Sequence, residues 1–146
     1  MRNLLFLCLL CIAGCASTEK YQSPEGLNLS NSARVFLYRT AVLYHSANPE
    51  QPFFYLNNKL VGNLGTGSFV TFYVKPGQHV LTSKESILFI PSNESGKISG
   101  QFEAGKTYYF RYSKDFVSVT GLGSGFVMSD SSSLTIATEQ QFFDKT

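Results

Sequence analysis

The chain has 146 residues, of which 14% are aromatic and none is tryptophan, and its formal net charge at pH 7 is +2. This length suits one domain rather than two, and the aromatic, β-branched composition favours a sandwich or small barrel over a helical bundle. Because the net charge is too small for the basic surface of a nucleic-acid binder, no nucleic-acid partner is predicted.

The N-terminal residues have the pattern of an export signal. Arg2 gives a short positive region, and an apolar run over residues 4–12 ends in the small residues Ala13 and Gly14. This run is shorter than the roughly 17 to 25 residues that a membrane-spanning helix needs. We therefore predict that residues 1–14 are a cleaved signal peptide.

Residues 12–15, Ile-Ala-Gly-Cys, follow the apolar run directly. They resemble the lipobox of bacterial lipoproteins, which implies cleavage between Gly14 and Cys15 and acylation of Cys15. Two or three acyl chains hold a protein firmly on a membrane, because each buried methylene contributes about 0.8 kcal/mol. Ala16 in place of aspartate resembles the sorting signal for the outer membrane, on its periplasmic face or at the cell surface. The alternative is an ordinary signal peptide cleaved near Ala16.

Cysteine usage follows from this reading of the N-terminus. Cys8 and Cys11 would leave with the signal peptide, and Cys15 would carry lipid. No cysteine then remains for a disulfide or a thiolate site, so the domain is expected to depend on its hydrophobic core.

The next segment, residues 15–32, is polar and lacks both the helical and the strand period. It is predicted to be a flexible tether that reaches roughly 20 to 25 Å. Leu27 and Leu29 are an alternative start for an edge strand, so the boundary of the tether is soft.

Residues 33–146 are predicted to form a single all-β domain, an antiparallel β-sandwich of about seven to nine short strands. Residues 33–40 alternate as a first strand, and in residues 53–56 alternate side chains are expected on opposite faces. Asn57-Asn58 predicts a tight hairpin turn. The strand over residues 69–74 ends at Pro76-Gly77, where the chain is expected to fold back antiparallel.

Further strands are predicted beyond residue 83. Residues 92–97 are predicted as a turn, and residues 98–103 and 106–113 as a pair of strands around Ala104-Gly105. Residues 129–133 are rich in serine and aspartate, and residues 134–138 alternate like a last strand. A short C-terminal helix capped by Thr138 is predicted to pack Phe142 or Phe143 on the sheet edge.

Four segments carry a resemblance to a known family: RVFLYR, FFYLNNKLVGNL, VKPGQHVL and EAGKTYYFRY, in that order behind the lipobox. They resemble small bacterial lipoproteins catalogued as domain of unknown function 2846. The middle portion is also similar to the PEGA domain, with Val61-Gly62 followed by the turn at residues 76–79. The resemblance spans roughly residues 34–112, implies a β-sandwich, and brings no catalytic residue or cofactor.

Residues 100–107, GQFEAGKT, match the phosphate-binding loop pattern. That loop needs a following helix whose N-terminus meets the phosphate, yet the residues after Thr107 alternate as a strand. Glu103 would also place a carboxylate inside the phosphate cradle. We therefore predict no nucleotide and no other cofactor.

Two histidines, His45 and His79, are the only histidines of the chain. No cysteine accompanies them in the mature chain, so no metal site is predicted. A cell-wall hydrolase would need one of them in a cleft with Asp, Glu or Ser, and the chain has no G-x-S-x-G elbow. The prediction is a protein that is not an enzyme, with the hydrolase as an alternative.

Arg39, Arg111 and Tyr109 are the candidate partner-binding residues. With Lys59 or Lys75, the arginines would form a cationic face for lipid phosphate, lipopolysaccharide or an acidic carbohydrate. The commoner arrangement is a solvated face with cross-strand ion pairs. The sequence thus predicts a non-catalytic envelope lipoprotein that binds an envelope protein or glycan. The alternative is an inhibitor of a lysozyme-like enzyme, although a pI near 8.4 gives poor complementarity to a cationic enzyme.

Overall fold

The computed structural model describes residues 18–41, 51–122 and 125–145. The predicted signal peptide, the cleavage site Gly14-Cys15 and His45 lie outside the described residues. No helix in the described ranges is both long enough and apolar enough to span a bilayer.

The described ranges contain eight strands and one short helix. In chain order they are β1 (Ala33–Arg39), β2 (Phe53–Leu56), β3 (Lys59–Asn63), β4 (Phe69–Val74), β5 (Gly77–Ile87), β6 (Ile90–Phe102), β7 (Thr107–Leu122), β8 (Gly125–Ala137) and α1 (Glu139–Lys145).

The strands form two four-stranded sheets. The first sheet has the order β4-β1-β7-β8 and the second sheet has the order β3-β2-β5-β6, which confirms the predicted β-sandwich. One pair departs from the antiparallel prediction, because β1 and β7 are parallel, with Val35 opposite Tyr108. β7 enters the first sheet directly from the second, and this crossover lets it run in the same direction as β1.

The core lies between the two sheets and consists of inward-facing side chains from both. The prediction for residues 53–56 is confirmed for Phe54 and Leu56, which are buried with at most 1% exposure. Burying one such side chain fully stabilises the fold by about 1.5–3 kcal/mol. The residues of this buried cluster are Ala33, Val35, Leu37, Phe54, Leu56, Leu64, Phe72, Val74, Leu81, Phe102, Phe110, Tyr112 and Leu134.

The predicted turn at Asn57-Asn58 is confirmed. Both residues have positive φ, 48° and 68°, as a two-residue hairpin loop requires. Asparagine tolerates this conformation better than most side chains. β2 and β3 therefore pair directly, with Leu56 opposite Lys59.

Two other predicted turns change the direction of the chain but do not make hairpins. After Pro76-Gly77, β5 pairs with β2 and β6 in the second sheet, whereas β4 pairs with β1 in the first. After Ala104-Gly105 the chain crosses back, and β7 pairs with β1 and β8. Both predictions of adjacent strand pairs were wrong, because a turn motif fixes a change of direction and not the next hydrogen-bonding partner.

The predicted turn at residues 92–97 is also wrong, because these residues belong to β6. The turn lies earlier, at Leu88 and Phe89, whose φ angles are 51° and 63°. Large apolar residues rarely adopt positive φ, so sequence rules do not place a turn there. The last strand, predicted over residues 134–138, also begins earlier, because residues 129–133 belong to β8 as well.

The C-terminal helix α1 is present and is capped as predicted. The Thr138 hydroxyl accepts a 3.2 Å hydrogen bond from the Gln141 backbone N–H, and the Gln141 side chain accepts one of 3.0 Å from the Thr138 N–H. This reciprocal arrangement is a capping box. Phe142 is 5% exposed and packs on the outer face of the first sheet, not on its edge as predicted, while Phe143 is 70% exposed.

Part of the predicted tether contacts the domain. Lys20 pairs in parallel with Leu60 of β3, and the Tyr21 N–H donates a 2.7 Å hydrogen bond to the Leu60 carbonyl. The Tyr21 hydroxyl reaches the Tyr73 carbonyl of the first sheet at 2.7 Å, and its ring contacts Phe72. The prediction of a flexible coil is therefore wrong for residues 20 and 21. Tyr21 holds this stretch against both sheets, and the polar composition of the segment gave no sign of that contact.

Candidate functional site

A groove with a volume of about 720 Å³ lies on the outer face of the second sheet. Its lining combines polar, charged, aromatic and aliphatic side chains, namely Thr18, Tyr55, Asn57, Asn58, Val80, Thr82, Lys84, Pro91, Glu94 and Lys97.

The floor of this groove follows from strand alternation. On β5, Leu81 and Ser83 are buried in the core, so Val80, Thr82 and Lys84 lie on the opposite, outer face. In the sheet register Tyr55 lies opposite Thr82, which places the aromatic ring in the same surface. The middle part of β5 therefore contributes alternate residues, Val80, Thr82 and Lys84, to the groove.

Asn57 and His79 stabilise one end of the groove. The Asn57 side-chain oxygen accepts a 2.9 Å hydrogen bond from the Val80 N–H, and its amide group donates one of 2.7 Å to His79 Nδ1. His79 Nε2 donates a 2.8 Å hydrogen bond to the Lys75 carbonyl. Both ring nitrogens of His79 thus serve the fold, and His45, the other histidine, lies outside the described residues.

The charges of the groove are mixed. Lys84 Nζ lies 5.2 Å from the centre of the Tyr55 ring, a cation–π contact. Glu94 and Lys97 are exposed on β6. Such a surface offers hydrogen-bond donors and acceptors together with both signs of charge, which suits a polar ligand better than an apolar one.

Thr18, the first described residue, lines the groove. Cys15 precedes it by three residues, and three extended residues span at most about 10–11 Å. The chain therefore enters the described domain beside the groove and close to the predicted lipidation site.

Arg39, a predicted partner-binding residue, is buried and not on the surface. It is 3% exposed, and its guanidinium donates a 3.1 Å hydrogen bond to the Leu64 carbonyl. Burial lowers the pKa of Arg39, and the nearby Tyr112 and Glu85 partly offset that effect. The alternation of β1 explains the correction, because Val35, Leu37 and Arg39 all face the core.

Arg111 and Tyr109 lie on the other face of the first sheet, beside α1. The Tyr109 hydroxyl donates a 2.9 Å hydrogen bond to Glu139, and its ring stacks on Phe36. Arg111 lines a depression of about 230 Å³ together with Asp115 and Lys145. Arg39 and Arg111 therefore lie on opposite faces of one sheet and do not form a common site.

The two lysines of the predicted cationic face are also apart from the arginines. Lys59 pairs with Glu19 at 2.7 Å at the edge of the second sheet, and Lys75 is exposed in the turn before β5. The predicted cationic face is consequently wrong in its geometry. The groove residues Asn58, Lys84 and Lys97 were missed, although the alternation of residues 80–84 was a usable signal.

A half-buried carboxylate, also missed in the sequence, joins the two sheets. Glu85 of β5 accepts hydrogen bonds from Tyr112 at 3.1 Å, from Lys114 at 3.2 Å and from Ser132. Burial acts to raise the pKa of Glu85, but the bonds from Ser132, Lys114 and Tyr112 outweigh it and hold that pKa below its usual value. The group therefore stays ionised and serves the packing of the sheets.

Residues 100–107, which match the phosphate-binding loop pattern, connect the end of β6 in the second sheet to the start of β7 in the first sheet. Thr107 begins β7, so a strand and not a helix follows the motif. Lys106 forms an ion pair with Glu103 at 2.9 Å. This geometry lacks the convergent helix N-terminus on which such a loop depends.

Comparison with known proteins identifies the family of this chain but assigns it no activity. No curated protein matches the chain. Residues 29–124, which include β1 to β7, match the family described as Protein of unknown function (DUF2846). The resemblance seen in the sequence is thereby confirmed, and the chain belongs to the DUF2846 family.

Proposed function

We propose that this chain is a non-catalytic lipoprotein of the bacterial envelope, anchored at the outer membrane by acylated Cys15. Its domain binds a polar envelope ligand in the groove on the second sheet. The observation that carries the proposal is the position of Thr18, which lines the groove only three residues after Cys15. Anchoring the chain at Cys15 confines the groove near the membrane and raises the local concentration of any ligand there.

The chemistry of the groove supports a glycan as the ligand. Asn58 offers an exposed amide group, and Lys84 and Lys97 offer cations for acidic substituents. Tyr55 and Thr82 also line the groove, but they are only 7% and 9% exposed and form its floor. Sugar hydroxyls need several donors and acceptors in one concave surface.

The anchor is tested by substituting the lipidated residue. Wild type, Cys15→Ser and the matched control Cys11→Ser, whose cysteine lies in the signal peptide, are labelled with palmitate and fractionated. Wild type and Cys11→Ser should carry the label and stay with the membranes, while Cys15→Ser should lose both properties. An unmodified Cys15 thiol, found by mass spectrometry of the wild-type N-terminus, would contradict the proposal whatever the fractionation shows.

The groove is tested with purified lipopolysaccharide and isolated peptidoglycan. Replacing both Lys84 and Lys97 by alanine should weaken binding about a hundredfold or more, since each charged hydrogen bond contributes about 1.5–3 kcal/mol. Lys75→Ala, an exposed lysine outside the groove, is the matched control and should leave binding unchanged. Equal binding by all three proteins would rule the groove out as the glycan site.

A further inference from the structure

The β5–β6 hairpin ends in four consecutive apolar residues that project from the domain. The exposed fractions of Ile87, Leu88, Phe89 and Ile90 are 56%, 76%, 64% and 65%. No charged residue interrupts them. We refer to residues 87–90 as the apolar tip.

The geometry of the turn does not explain why its residues are apolar. Leu88 and Phe89 have φ angles of 51° and 63°, a conformation for which two-residue hairpins favour Asn-Gly. The β2–β3 hairpin of this chain uses Asn57-Asn58 for a similar turn. Large apolar side chains at positive φ carry a conformational cost, and such strained residues tend to cluster at functional sites.

Core packing does not account for these side chains either. All four are more than half exposed, whereas Ser86, the residue before the tip, is 6% exposed. Four neighbouring apolar side chains at one protruding point form a surface that water solvates poorly. Their chemistry therefore points to a partner that is itself apolar.

The apolar tip and the residue that follows the predicted anchor by three positions both adjoin the groove. Thr18 lines the groove, and so does Pro91, which directly follows Ile90. If Cys15 is acylated, a bilayer lies within about 10–11 Å of Thr18. The second sheet then has its outer face beside the membrane, with the apolar tip projecting from the same sheet.

We propose that the apolar tip inserts into the lipid bilayer as a second membrane contact besides the acyl chains. This inference rests on the proposed lipid anchor. The hairpin backbone suits insertion because Ile87 and Ile90 pair with each other across the turn. Ser92, Asn93 and Glu94 follow on β6 and would lie at the level of the headgroups. The contact fixes the orientation of the groove, which an acyl chain alone leaves free.

Depth measurements test the insertion on the purified lipoprotein in vesicles of phosphatidylethanolamine and phosphatidylglycerol. A nitrobenzoxadiazole probe is attached at Phe89→Cys or, as a control, at Lys75→Cys. The probe at position 89 should shift its emission to the blue and be quenched by spin-labelled acyl chains, and the probe at position 75 should not. Because the tip is uncharged, about 0.5 M salt should not abolish the effect.

A variant that preserves the turn separates the tip from the anchor. Full chains with Cys15→Ser, with and without Leu88→Asn/Phe89→Gly, are floated with the same vesicles. The chain with the apolar tip should partition about tenfold more strongly. If Cys15 proves unmodified, the lipoprotein proposal fails, but this comparison still tests the tip.

Two outcomes would overturn the insertion. One is that the two Cys15→Ser chains float equally and that, on the acylated protein, the probe at position 89 remains exposed to water. The other is shielding of that probe only when membrane proteins are added to the vesicles, which would assign the tip to a protein partner.

Discussion

The Tyr112 hydroxyl donates a 3.1 Å hydrogen bond to the Glu85 carboxylate across the space between the two sheets. Tyr112 belongs to β7 and Glu85 to β5. The β5–β6 register shifts between Ser83 and Lys84 and again between Lys84 and Ser86, an interval that contains Glu85. Such irregularities re-aim a side chain. Here the side chain that meets the opposite sheet is a carboxylate, and it is bound from three directions.

Replacing that carboxylate should destabilise the sandwich. Glu85→Gln should lower the free energy of unfolding by about 1–3 kcal/mol, because hydrogen bonds to a charged group become neutral and the Lys114 ion pair is lost. Urea unfolding followed by circular dichroism measures the change. Glu94→Gln, at an exposed position of the neighbouring strand, is the control and should stay within about 0.5 kcal/mol of wild type. Similar losses in both variants would contradict the role of the network.

The same carboxylate predicts a pH dependence. Against the opposing effect of burial, hydrogen bonds from Ser132, Lys114 and Tyr112 hold the pKa of Glu85 in the folded state below its ordinary value of 4.5. Its contribution is therefore complete above the unfolded-state pKa and is lost as the pH falls through the folded-state pKa. The difference in unfolding free energy between wild type and Glu85→Gln should be largest near neutral pH and shrink below about pH 4.5. Urea titrations at several pH values check this, and a difference that grows on acidification would refute it.

At Gly96, β6 and β8 are packed so closely that no side chain fits between them. A Cβ atom at this position would lie 2.6 Å from Leu134 Cβ and 2.9 Å from Ser83 Oγ. Gly96→Ala should therefore cost about 1–3 kcal/mol, as overpacking of a core does. Gly100→Ala on the same strand meets nothing within 4 Å and should be neutral or slightly stabilising. The unfolding temperatures of the two variants are compared. Equal midpoints would show that the two sheets can move apart at Gly96 without loss of stability.

The C-terminal helix offers a matched pair of phenylalanines. Phe142 is 5% exposed and contacts Phe36, Tyr38 and Tyr109, whereas Phe143 is 70% exposed. Phe142→Ala should lower the unfolding free energy by about 3 kcal/mol, and Phe143→Ala should change it by less than about 0.5 kcal/mol. Loss of protection from proteolysis at residues 139–145 in the Phe142 variant alone would show that the helix has detached. Equal behaviour of the two variants would place the helix elsewhere.

Local patterns predicted those features that local chemistry decides. Alternation placed Phe54 and Leu56 on one face of β2, which the structure buries in the core; asparagine marked the β2–β3 turn, and Thr138 marked the helix start. Each of these depends on side chains within a few residues of one another. The family resemblance added the sandwich architecture, which local patterns alone leave open.

The features that the sequence did not predict depend on distant partners. Strand β5 leaves β4 for the second sheet because its hydrogen-bonding partners are β2 and β6, and no turn motif encodes that choice. Arg39 was expected on the surface, since charge alone does not reveal a buried carbonyl such as that of Leu64 that accepts its hydrogen bond. The groove likewise requires residues from four separate parts of the chain, beginning with Thr18.

The turn at Leu88-Phe89 predicts a variant more stable than the natural chain. Both residues have positive φ, which costs an ordinary side chain about 1–2 kcal/mol. Asparagine and glycine adopt this conformation readily, so Leu88→Asn/Phe89→Gly should raise the unfolding free energy by about 1–2 kcal/mol. Asn58→Leu, at a φ of 68° in the other hairpin, is the reverse control and should lose about 1 kcal/mol. A double variant less stable than wild type in urea would mean that the two side chains pack within the domain. A stabilised variant that also loses vesicle binding would mean that the natural tip lowers the stability of the fold but provides the contact with lipid.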